Sequence, residues 1–346
     1  MIEHFHNQKR GGKMVGKGSL GLSESLAETY LGCPKKYWFS HVRKLPEKTD
    51  YQRLMGITVH RFIAKMHSSR QNPLYYQTVD NARKAWFWTW RYTLEKNGPN
   101  MLVHSKKDGE DFGVAGWICI DNYWKRNIDE PAPLHVEKRY EMPLFPMVKF
   151  AGRLDQIRAM PLEKIADIRP ELIVNGRLIE GYDPVAIIDL KTGKESYDPR
   201  RFNPDITDLA LAAYQFELHE NLQITAYCWL YFQVYGRLPV AFYWYHLRSG
   251  KAFMTYRNKS DFQTFLEIMK YVANGIKAES YPKHPTPRCR KCDYFQECAA
   301  LRPDRPLMIT EPSDGINLGG EITVWPQTSP VKTRQLRLKF PSANDN

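Results

Sequence analysis

The sequence predicts an α/β protein in which a mixed sheet core is flanked by helices, with a helical region on its N-terminal side. Two observations support this fold class. Apolar residues recur at helical spacing through the first third of the chain, and short β-branched runs alternate with helices after it. The elements therefore run helices, a strand pair, a strand, a helix, a strand and a helix, which is typical of one sheet covered by helices. The 346 residues, 42% of them hydrophobic, can bury a sizeable core.

Four helices are predicted before the first strand. Ser23 or Ser25 can cap the first of them, since either hydroxyl can accept a hydrogen bond from a free backbone amide. In the three others, large apolar residues lie near helical spacing, and these helices span 51–68, 82–96 and 112–126. These segments make up the predicted helical region.

Four strands and two helices are predicted after residue 130. The first two strands form a hairpin around a Pro-Leu-Phe-Pro turn, and the third, Val-Ala-Ile-Ile-Asp-Leu, is typical of a strand covered on both faces. The strands span 135–142, 147–157, 185–190 and 240–247. The helices span 216–235 and 260–279. Prolines and an Asn-Gly pair between positions 158 and 185 predict an inserted hairpin or loop.

Lysine and arginine outnumber acidic residues 50 to 38, which gives a formal charge of +12 and a pI near 9.3. Such a charge suits a polyanion such as nucleic acid, although a plain solvated surface is the alternative. The sequence has no unbroken apolar run of the roughly 18 residues that a membrane helix needs, and it starts without an apolar leader. We therefore expect a cytoplasmic protein with no membrane partner.

An aspartate and a lysine share one face of a predicted strand. In Ile-Asp-Leu-Lys, side chains alternate between faces, so Asp189 and Lys191 lie on the same side. The carboxylate can hold a divalent metal while the ammonium orients a water or stabilises charge on a phosphate oxygen. Asp155, on an earlier strand, would complete a Mg²⁺ or Mn²⁺ site. The alternatives are a surface ion pair for the first two residues and a turn position for Asp155.

Three further polar residues can join this site. Gln223 and Tyr227 are four apart in a predicted helix, so they share a face on which an amide and a hydroxyl can bind a phosphate or a water. An ordinary amphipathic surface is the alternative. His60 lies on the helix over 51–68, either as a structural histidine or as an imidazole ligand that favours manganese.

Four of the six cysteines are spaced like metal ligands. Cys289, Cys292 and Cys298 lie in one proline-bounded loop, and Cys33 is the remaining cysteine outside an apolar helix. We infer a Cys₄ site between the two ends of the region. An iron–sulfur cluster is favoured over zinc, because structural zinc usually binds two close pairs of ligands. The other two cysteines are predicted to be buried, inert thiols: Cys119 and Cys228.

Together these motifs resemble the RecB-like branch of the PD-(D/E)XK nuclease superfamily, in the iron–sulfur subset that includes the CRISPR-associated RecB-like exonucleases and the C-terminal nuclease domain of AddB. The resemblance covers about residues 19–300. The motifs in chain order are Leu-Gly-Cys-Pro at Cys33, Thr-Val-His at His60, Gly-Arg-Leu-Asp at Asp155, Ile-Asp-Leu-Lys-Thr-Gly at Asp189 and Lys191, QxxxY at Gln223 and Tyr227, and the cysteine triplet.

The resemblance implies a restriction-endonuclease-like fold and a metal-dependent nuclease that acts on DNA, as an exonuclease on single-stranded ends. It implies metal binding by His60, Asp155 and Asp189, positioning of water by Lys191, and support of DNA and site geometry by Gln223 and Tyr227. It also implies a 4Fe-4S cluster on Cys33, Cys289, Cys292 and Cys298. The sequence has no GxxxxGK[ST] motif, so unwinding would need a partner such as a helicase. A CRISPR integrase is the other protein partner considered.

This interpretation divides the chain into five parts. They are a disordered basic N-terminus (1–18), a helical region with the first cluster cysteine (19–130), the nuclease core (131–283), a cluster-binding segment (284–300) and a linker or loosely attached tail (301–346). Two other function classes remain open at this point. One is a DNA-binding scaffold that keeps the fold and the cluster but does not cut, and the other is a zinc-stabilised RNA-binding protein.

Overall fold

The computed structural model describes residues 19–47, 50–68, 78–97, 106–193 and 207–300. The predictions for the N-terminus and for the tail fall on residues 1–18 and 301–346, outside the described residues. The described part is a mixed sheet flanked by helices, so the predicted fold class is confirmed. The predicted division into five parts stays a prediction.

The described residues form eight strands, six of which make up one mixed sheet. The strands are β1 (Leu20–Leu22), β2 (His135–Phe145), β3 (Val148–Ala159), β4 (Ile173–Val174), β5 (Arg177–Leu178), β6 (Tyr182–Lys191), β7 (Leu238–His246) and β8 (Lys251–Thr255). The sheet has the order β1-β3-β6-β7-β8, and β2 also pairs with β3. β1 runs parallel to β3 and β6 runs parallel to β7, whereas the other pairs of this sheet are antiparallel. β4 and β5 form a separate small hairpin.

Helices cover both faces of the sheet. The α-helices are α1 (Glu24–Gly32), α2 (Pro34–Tyr37), α3 (Tyr51–Ser68), α4 (Val79–Asn97), α5 (Lys106–Asn127), α6 (Leu162–Ile168), α7 (Thr207–Glu220), α8 (Leu222–Tyr235), α9 (Asp261–Lys277) and α10 (Phe295–Ala300). A π-helix spans Trp38–Val42, and 3-10 helices span Pro170–Leu172 and Pro287–Lys291. Among the described helices, none combines the length and apolar character needed to cross a membrane.

Two hydrophobic clusters hold these layers together. On one face, helices α1, α8 and α9 bury side chains such as Leu230 and Phe265 against Phe150 of the sheet. On the other face, α3, α4 and α5 pack against Leu190 and Tyr245. Each fully buried large side chain contributes roughly 1.5–3 kcal/mol to folding, so both faces of the central strands depend on their helices.

One predicted helix is two helices in the structure. The apolar run over 216–235 was predicted as continuous, but it breaks at Asn221, whose side chain caps α8 by accepting a hydrogen bond from Ile224 N at 3.1 Å. The buried Arg257 guanidinium donates to the carbonyls of Leu218 and Asn221 at the end of α7. These hydrogen bonds stabilise the break between α7 and α8. The break determines where α8, the helix that carries the QxxxY residues, begins.

The hairpin turn is shorter than predicted. β2 continues through most of the Pro-Leu-Phe-Pro segment to Phe145, and the turn is confined to Pro146 and Met147, the latter with φ of 61°. β2 is an edge strand, because within the sheet it pairs with β3 alone. Proline, which has no amide hydrogen to donate, is tolerated in an edge strand, so Pro143 can lie within β2. The hairpin itself was predicted correctly.

Among the elements that were not predicted, three belong to the sheet or pack on it. β1 brings the N-terminal segment into the sheet beside β3, and β8 extends the sheet beyond β7. The segment predicted as an inserted hairpin or loop contains the β4–β5 hairpin but also helix α6. Ile165 of α6 is fully buried against the sheet with Ala186 and Val240, so this insertion is packed onto the core.

A glycine contact in the helical cover gives a test of this packing. A Cβ atom at Gly116 would lie 2.2 Å from Trp86, a side chain that is fully buried. We expect Gly116→Ala to lower the free energy of unfolding by about 1–3 kcal/mol. α5 carries Gly116 and α4 carries Trp86, and neither helix can move without disturbing the core. Chemical denaturation would measure this. Gly32→Ala is the control, since a Cβ there meets nothing within 4 Å. Equal stabilities of the two variants would contradict the packing described.

Candidate active site

The candidate site lies where two neighbouring strands separate. β3 and β6 pair as far as Gln156 opposite Ile188, so the continued register would bring Asp155 opposite Asp189. Instead, the side chain of Asp155 takes the place of the strand partner. Its Oδ2 accepts a hydrogen bond from Leu190 N at 2.8 Å. The two aspartates that the sequence singled out are thus brought to one point, at the fork between the strands.

A chain of polar contacts connects β6 to α8. Lys191 Nζ lies 2.6 Å from Asp189 Oδ2 and donates to Gln223 Oε1 at 2.6 Å. Gln223 Nε2 in turn donates to Tyr227 OH at 3.2 Å. Two pairs of residues were each predicted to share a face: Asp189 with Lys191, and Gln223 with Tyr227. In the structure these two faces meet. Trp244 of β7, which the sequence did not single out, places its ring 4.8 Å from the ammonium.

His60 of α3 approaches the same fork from the helical cover. Its Nδ1 lies 3.3 Å from Asp155 Oδ1 and 3.4 Å from Oε1 of Glu137 on β2. One ligand atom from each of these three residues lies within 4.8 Å of the others. Burial opposes a charged imidazole, but the two carboxylates outweigh it and raise the pKa of His60 to about 10. All six predicted side chains of the site are therefore brought together, and Glu137 joins them.

Glu137 belongs to no motif in the sequence. Its place follows from the β2–β3 register, in which Val136 pairs with Gln156 and Lys138 with Leu154, so that Glu137 falls opposite Asp155. The position of the hairpin turn alone would not have identified this glutamate. A two-residue turn pairs Phe145 with Val148, and this register continued along β2 would bring Glu137 opposite Gln156. The register shift between Pro143 and Phe145 moves Glu137 opposite Asp155.

The pKa values of the two aspartates are shifted in opposite directions. Burial favours the neutral form of both, but the nearby His60 reverses this for Asp155 and lowers its pKa below the ordinary value. For Asp189, burial prevails over the opposing effect of Lys191 and its pKa is raised. Asp189 Oδ2 is buried and, among the described residues, has the Lys191 ion pair but no regular hydrogen bond. A buried carboxylate in this state is one that a cation would stabilise.

A further acidic residue reaches this region from α1. Glu24 is buried, and burial together with the Glu28 carboxylate raises its pKa to about 8, while Lys191 opposes the shift. The sequence analysis did not single it out, because a glutamate in the first turn of a helix is ordinary. Its charge interacts with both Lys191 and Asp189, so α1 contributes to the electrostatics of the site.

The four predicted cluster cysteines come together at the other end of α1. Burial raises the pKa of Cys298, Lys283 opposes this, and the charges of Cys33, Cys292 and Cys289 raise it further, so these three cysteines lie near Cys298. Backbone contacts join the two segments, since Lys35 N donates to Pro282 O at 3.1 Å. Two thiols are buried away from this group, as predicted: Cys119 and Cys228.

The donors at the fork suit a divalent cation. Carboxylate oxygens are ligands that Mn²⁺ and Mg²⁺ sites share, and an imidazole that gives up its proton when the ion binds suits Mn²⁺. A lysine beside such a site can act on a phosphate or a water. A sequence-family model of the PD-(D/E)XK nuclease superfamily matches residues 21–168 and 177–299 of this chain. The chain belongs to the PD-(D/E)XK nuclease superfamily.

Membership assigns the general chemistry. The protein is a nuclease, a hydrolase of the phosphodiester bonds of DNA, and nucleases of this superfamily use divalent ions such as Mg²⁺ or Mn²⁺. The match spans well over half of the chain, from β1 through α10, with the 3-10 helix and β4 of the insertion left out. No curated protein matches this sequence. The RecB-like subset, the iron–sulfur cluster and the mode of cleavage are matters for proposal.

The raised pKa of Glu24 predicts a pH dependence of stability. A carboxyl with a folded pKa of about 8 and an ordinary value of 4.5 stabilises the fold fully below pH 4.5, and this contribution is lost as pH rises towards 8. Glu24→Gln in metal-free protein should therefore flatten that decline and raise the free energy of unfolding at pH 8 by about 1–3 kcal/mol. Urea denaturation at pH 5 and pH 8 measures it. Glu95→Gln, at an exposed position of α4, is the control, with a smaller change expected. A variant less stable than the parent protein at pH 8 would contradict the assignment.

Proposed function

We propose that this nuclease is a RecB-like exonuclease that cleaves DNA from single-stranded ends, or at junctions that a partner exposes. The meeting of Asp155, Asp189 and Lys191 at the strand fork supports this proposal. The same three residues form the Asp and Asp-x-Lys elements of the motif. Gln223 and Tyr227 supply the QxxxY pair beside them.

The ligands proposed for the divalent ion are His60, Asp155 and Asp189. When bound, the ion would act as a Lewis acid that neutralises charge developing on the scissile phosphate. Leu190 N holds one oxygen of Asp155, which leaves Oδ1 turned towards His60. The strand fork thus orients the carboxylate before any ligand arrives, and this lowers the cost of organising the site.

Lys191 is proposed to position the attacking water and to stabilise charge on the phosphate. Its ammonium is held between Asp189 and Gln223, so its reach is restricted to the fork. Burial disfavours its charge, but the acidic neighbours, Asp189 first, raise its pKa, and it stays protonated at neutral pH. An ammonium acts here as a fixed electrostatic donor, while Gln223 and Tyr227 support it and contact the DNA.

A non-cleaving DNA-binding scaffold is the alternative, and a variant series separates the two. Lys191→Ala and Asp155→Ala should each lower the rate of cleavage by at least about 100-fold, because each removes a group that acts on the reacting phosphate. The measurement uses end-labelled single-stranded DNA, duplex DNA and RNA with Mn²⁺ or Mg²⁺. Lys125→Ala is the matched control, since Lys125 makes an exposed ion pair with Asp121 on α5.

The outcomes of that assay are distinct. If the folded Lys191→Ala variant cleaves DNA as the parent protein does, the role assigned to Lys191 is ruled out. DNA binding with no cleavage by the parent protein, with either ion, would favour the scaffold. Degradation of RNA in preference to DNA would favour the RNA-directed alternative. Release of mononucleotides from labelled ends, rather than internal fragments, would support the exonuclease assignment.

We further propose that Cys33, Cys289, Cys292 and Cys298 bind a 4Fe-4S cluster. Four neighbouring thiols outside the hydrophobic core fit a thiolate-bound metal group. Zinc remains the rival. We favour the cluster because structural zinc usually binds two close pairs of ligands, whereas this chain offers one distant cysteine and a triplet.

Replacing one cluster ligand tests this. Protein purified without oxygen should be brown, with absorbance near about 400 nm, and Cys33→Ser should lose both the colour and the iron. It should also be less soluble and less stable, because the two ends of the domain would separate. Iron, zinc and sulfide analysis measures the outcome. Cys119→Ala, a buried thiol of α5, should keep the iron. One zinc per chain with no sulfide would refute the cluster.

The proposed pathway is DNA recombination, repair, phage DNA metabolism or processing of CRISPR spacers. A helicase or a CRISPR integrase would deliver the single-stranded ends, and the chain's formal charge of +12 suits a polyanion. A cytoplasmic location is part of the proposal. Reducing conditions there keep thiols available as metal ligands.

A further inference from the structure

We propose that Glu137 is an additional ligand of the divalent ion, held in position by Arg153. The inference rests on the proposed function, because it extends the ion site at the strand fork. Glu137 lies outside every motif of the family resemblance, on the first strand of the hairpin and not on the second. Its role is therefore argued from the structure of this chain alone.

Distances place Glu137 within the reach of one ion. Its Oε1 lies 3.4 Å from His60 Nδ1, and the ligand atoms of Glu137, His60 and Asp155 all lie within 4.8 Å of one another. An octahedral ion with bonds of about 2.1 Å spans ligand separations of about 3–4.2 Å, so small side-chain movements suffice for all three to bind. Asp189 is not in this close group, since its Oδ2 contacts Lys191.

Arg153 orients the glutamate. Arg153 Nε lies 3.1 Å from Glu137 Oε2, so the salt bridge occupies one carboxylate oxygen and leaves Oε1 turned towards His60. Arg153 precedes Asp155 by two residues on β3, and side chains two apart in a strand point to the same face. The guanidinium thus approaches from the side that carries the ligands. Arg153 is a positioning residue, because it contacts the ligand and not the ion.

The backbone at Glu137 supports a functional role. Glu137 has φ of 50°, in the left-handed region that glycine adopts freely and that residues with a side chain disfavour. Strain of this kind persists where the surrounding structure requires it, often at functional sites.

The ligand set also indicates the class of ion. One imidazole among carboxylates suits Mn²⁺ better than Ca²⁺ or Mg²⁺, because imidazole is a preferred ligand of transition metals, whereas the two harder ions take oxygen ligands. Glu137 would add a negative charge and a fourth protein ligand on the side of His60. It should thus increase affinity for Mn²⁺ at low concentrations, where His60, Asp155 and Asp189 alone would bind more weakly.

Binding of Mn²⁺ to the full chain tests the inference without reference to activity. Isothermal titration and the loss of the free-Mn²⁺ electron paramagnetic signal both report affinity. Glu137→Gln should weaken Mn²⁺ binding by more than about 10-fold, and Arg153→Ala by about 10-fold, since its loss frees the glutamate to rotate. Cleavage by Glu137→Gln should recover at high Mn²⁺ concentration, which a purely structural defect would not produce.

Matched controls come from the same hairpin. Glu141→Gln removes an exposed glutamate of β2 that pairs with Lys149 at 3.1 Å, and Arg139→Ala removes an exposed arginine of the same strand. Neither should change Mn²⁺ affinity. Glu137→Asp keeps a carboxylate and should bind Mn²⁺ more tightly than Glu137→Gln. If Glu137→Gln fails to fold, the comparison of Glu137→Asp with the parent protein still tests the role of this carboxylate. Circular dichroism confirms the folded state of each.

The outcomes separate this inference from the proposed function. Unchanged Mn²⁺ affinity in folded Glu137→Gln, together with lost affinity in Asp155→Asn, would overturn the role of Glu137 and leave the nuclease site intact. Unchanged affinity and cleavage in Asp155→Asn as well would refute the site itself. Equal losses in Glu137→Gln and in the control Glu141→Gln would show a general charge effect, and this would also overturn the inference.

Discussion

The structure of the site depends on one hydrogen bond, from Leu190 N to the carboxylate of Asp155. It forms where β3 and β6 stop pairing, and it satisfies a backbone amide that a regular antiparallel partner would otherwise take. A buried amide without a partner would cost about 1–3 kcal/mol, so the fork is stable only with an acceptor at this position. The acceptor is also an acidic residue of the site, and the same contact thus serves both the fold and the chemistry.

The charges around this fork do not balance through hydrogen bonds alone. Asp155 shares its charge with His60, and Asp189 shares its charge with Lys191, but Glu24 and Glu137 bring further carboxyls to the region. Burying several acidic groups together is costly unless a proton or a cation neutralises them. The pKa values of Asp189 and Glu24 are both raised, that of Glu24 to about 8, because burial beside other carboxyls favours the neutral form. A divalent ion, which nucleases of this superfamily use, would neutralise these carboxyls instead.

The sequence predicted those elements that strong local patterns determine. The helix over 51–68 agrees with α3 (Tyr51–Ser68), because its apolar residues keep one period throughout. The break between α7 and α8 was missed, since Asn221 interrupts the backbone without interrupting the apolar run. β1 was missed because three residues in a strand carry no detectable alternation. Pairing with β3, and not local propensity, defines that strand.

The difference between local pattern and long-range pairing also separates the site residues that were predicted from those that were not. Asp189 and Lys191 sit two apart on one strand, and Gln223 and Tyr227 sit four apart on one helix, so local geometry places each pair on a common face.

Glu137 and Glu24 reach the site only through long-range arrangement, the first through the hairpin register and the second through the packing of α1.

Helix α1 lies between the candidate active site and the cysteine group. Its nine residues span about 13 Å, with Glu24 at one end and Cys33 directly after the other. Tyr30, in the last turn of α1, donates to Ser280 O beside α9, so the helix is fixed to the C-terminal segment that also carries the cysteine triplet. α1 thus links the cysteine group to the buried carboxyl of Glu24, whose pKa depends on Lys191 and Asp189, although no side chain belongs to both sites.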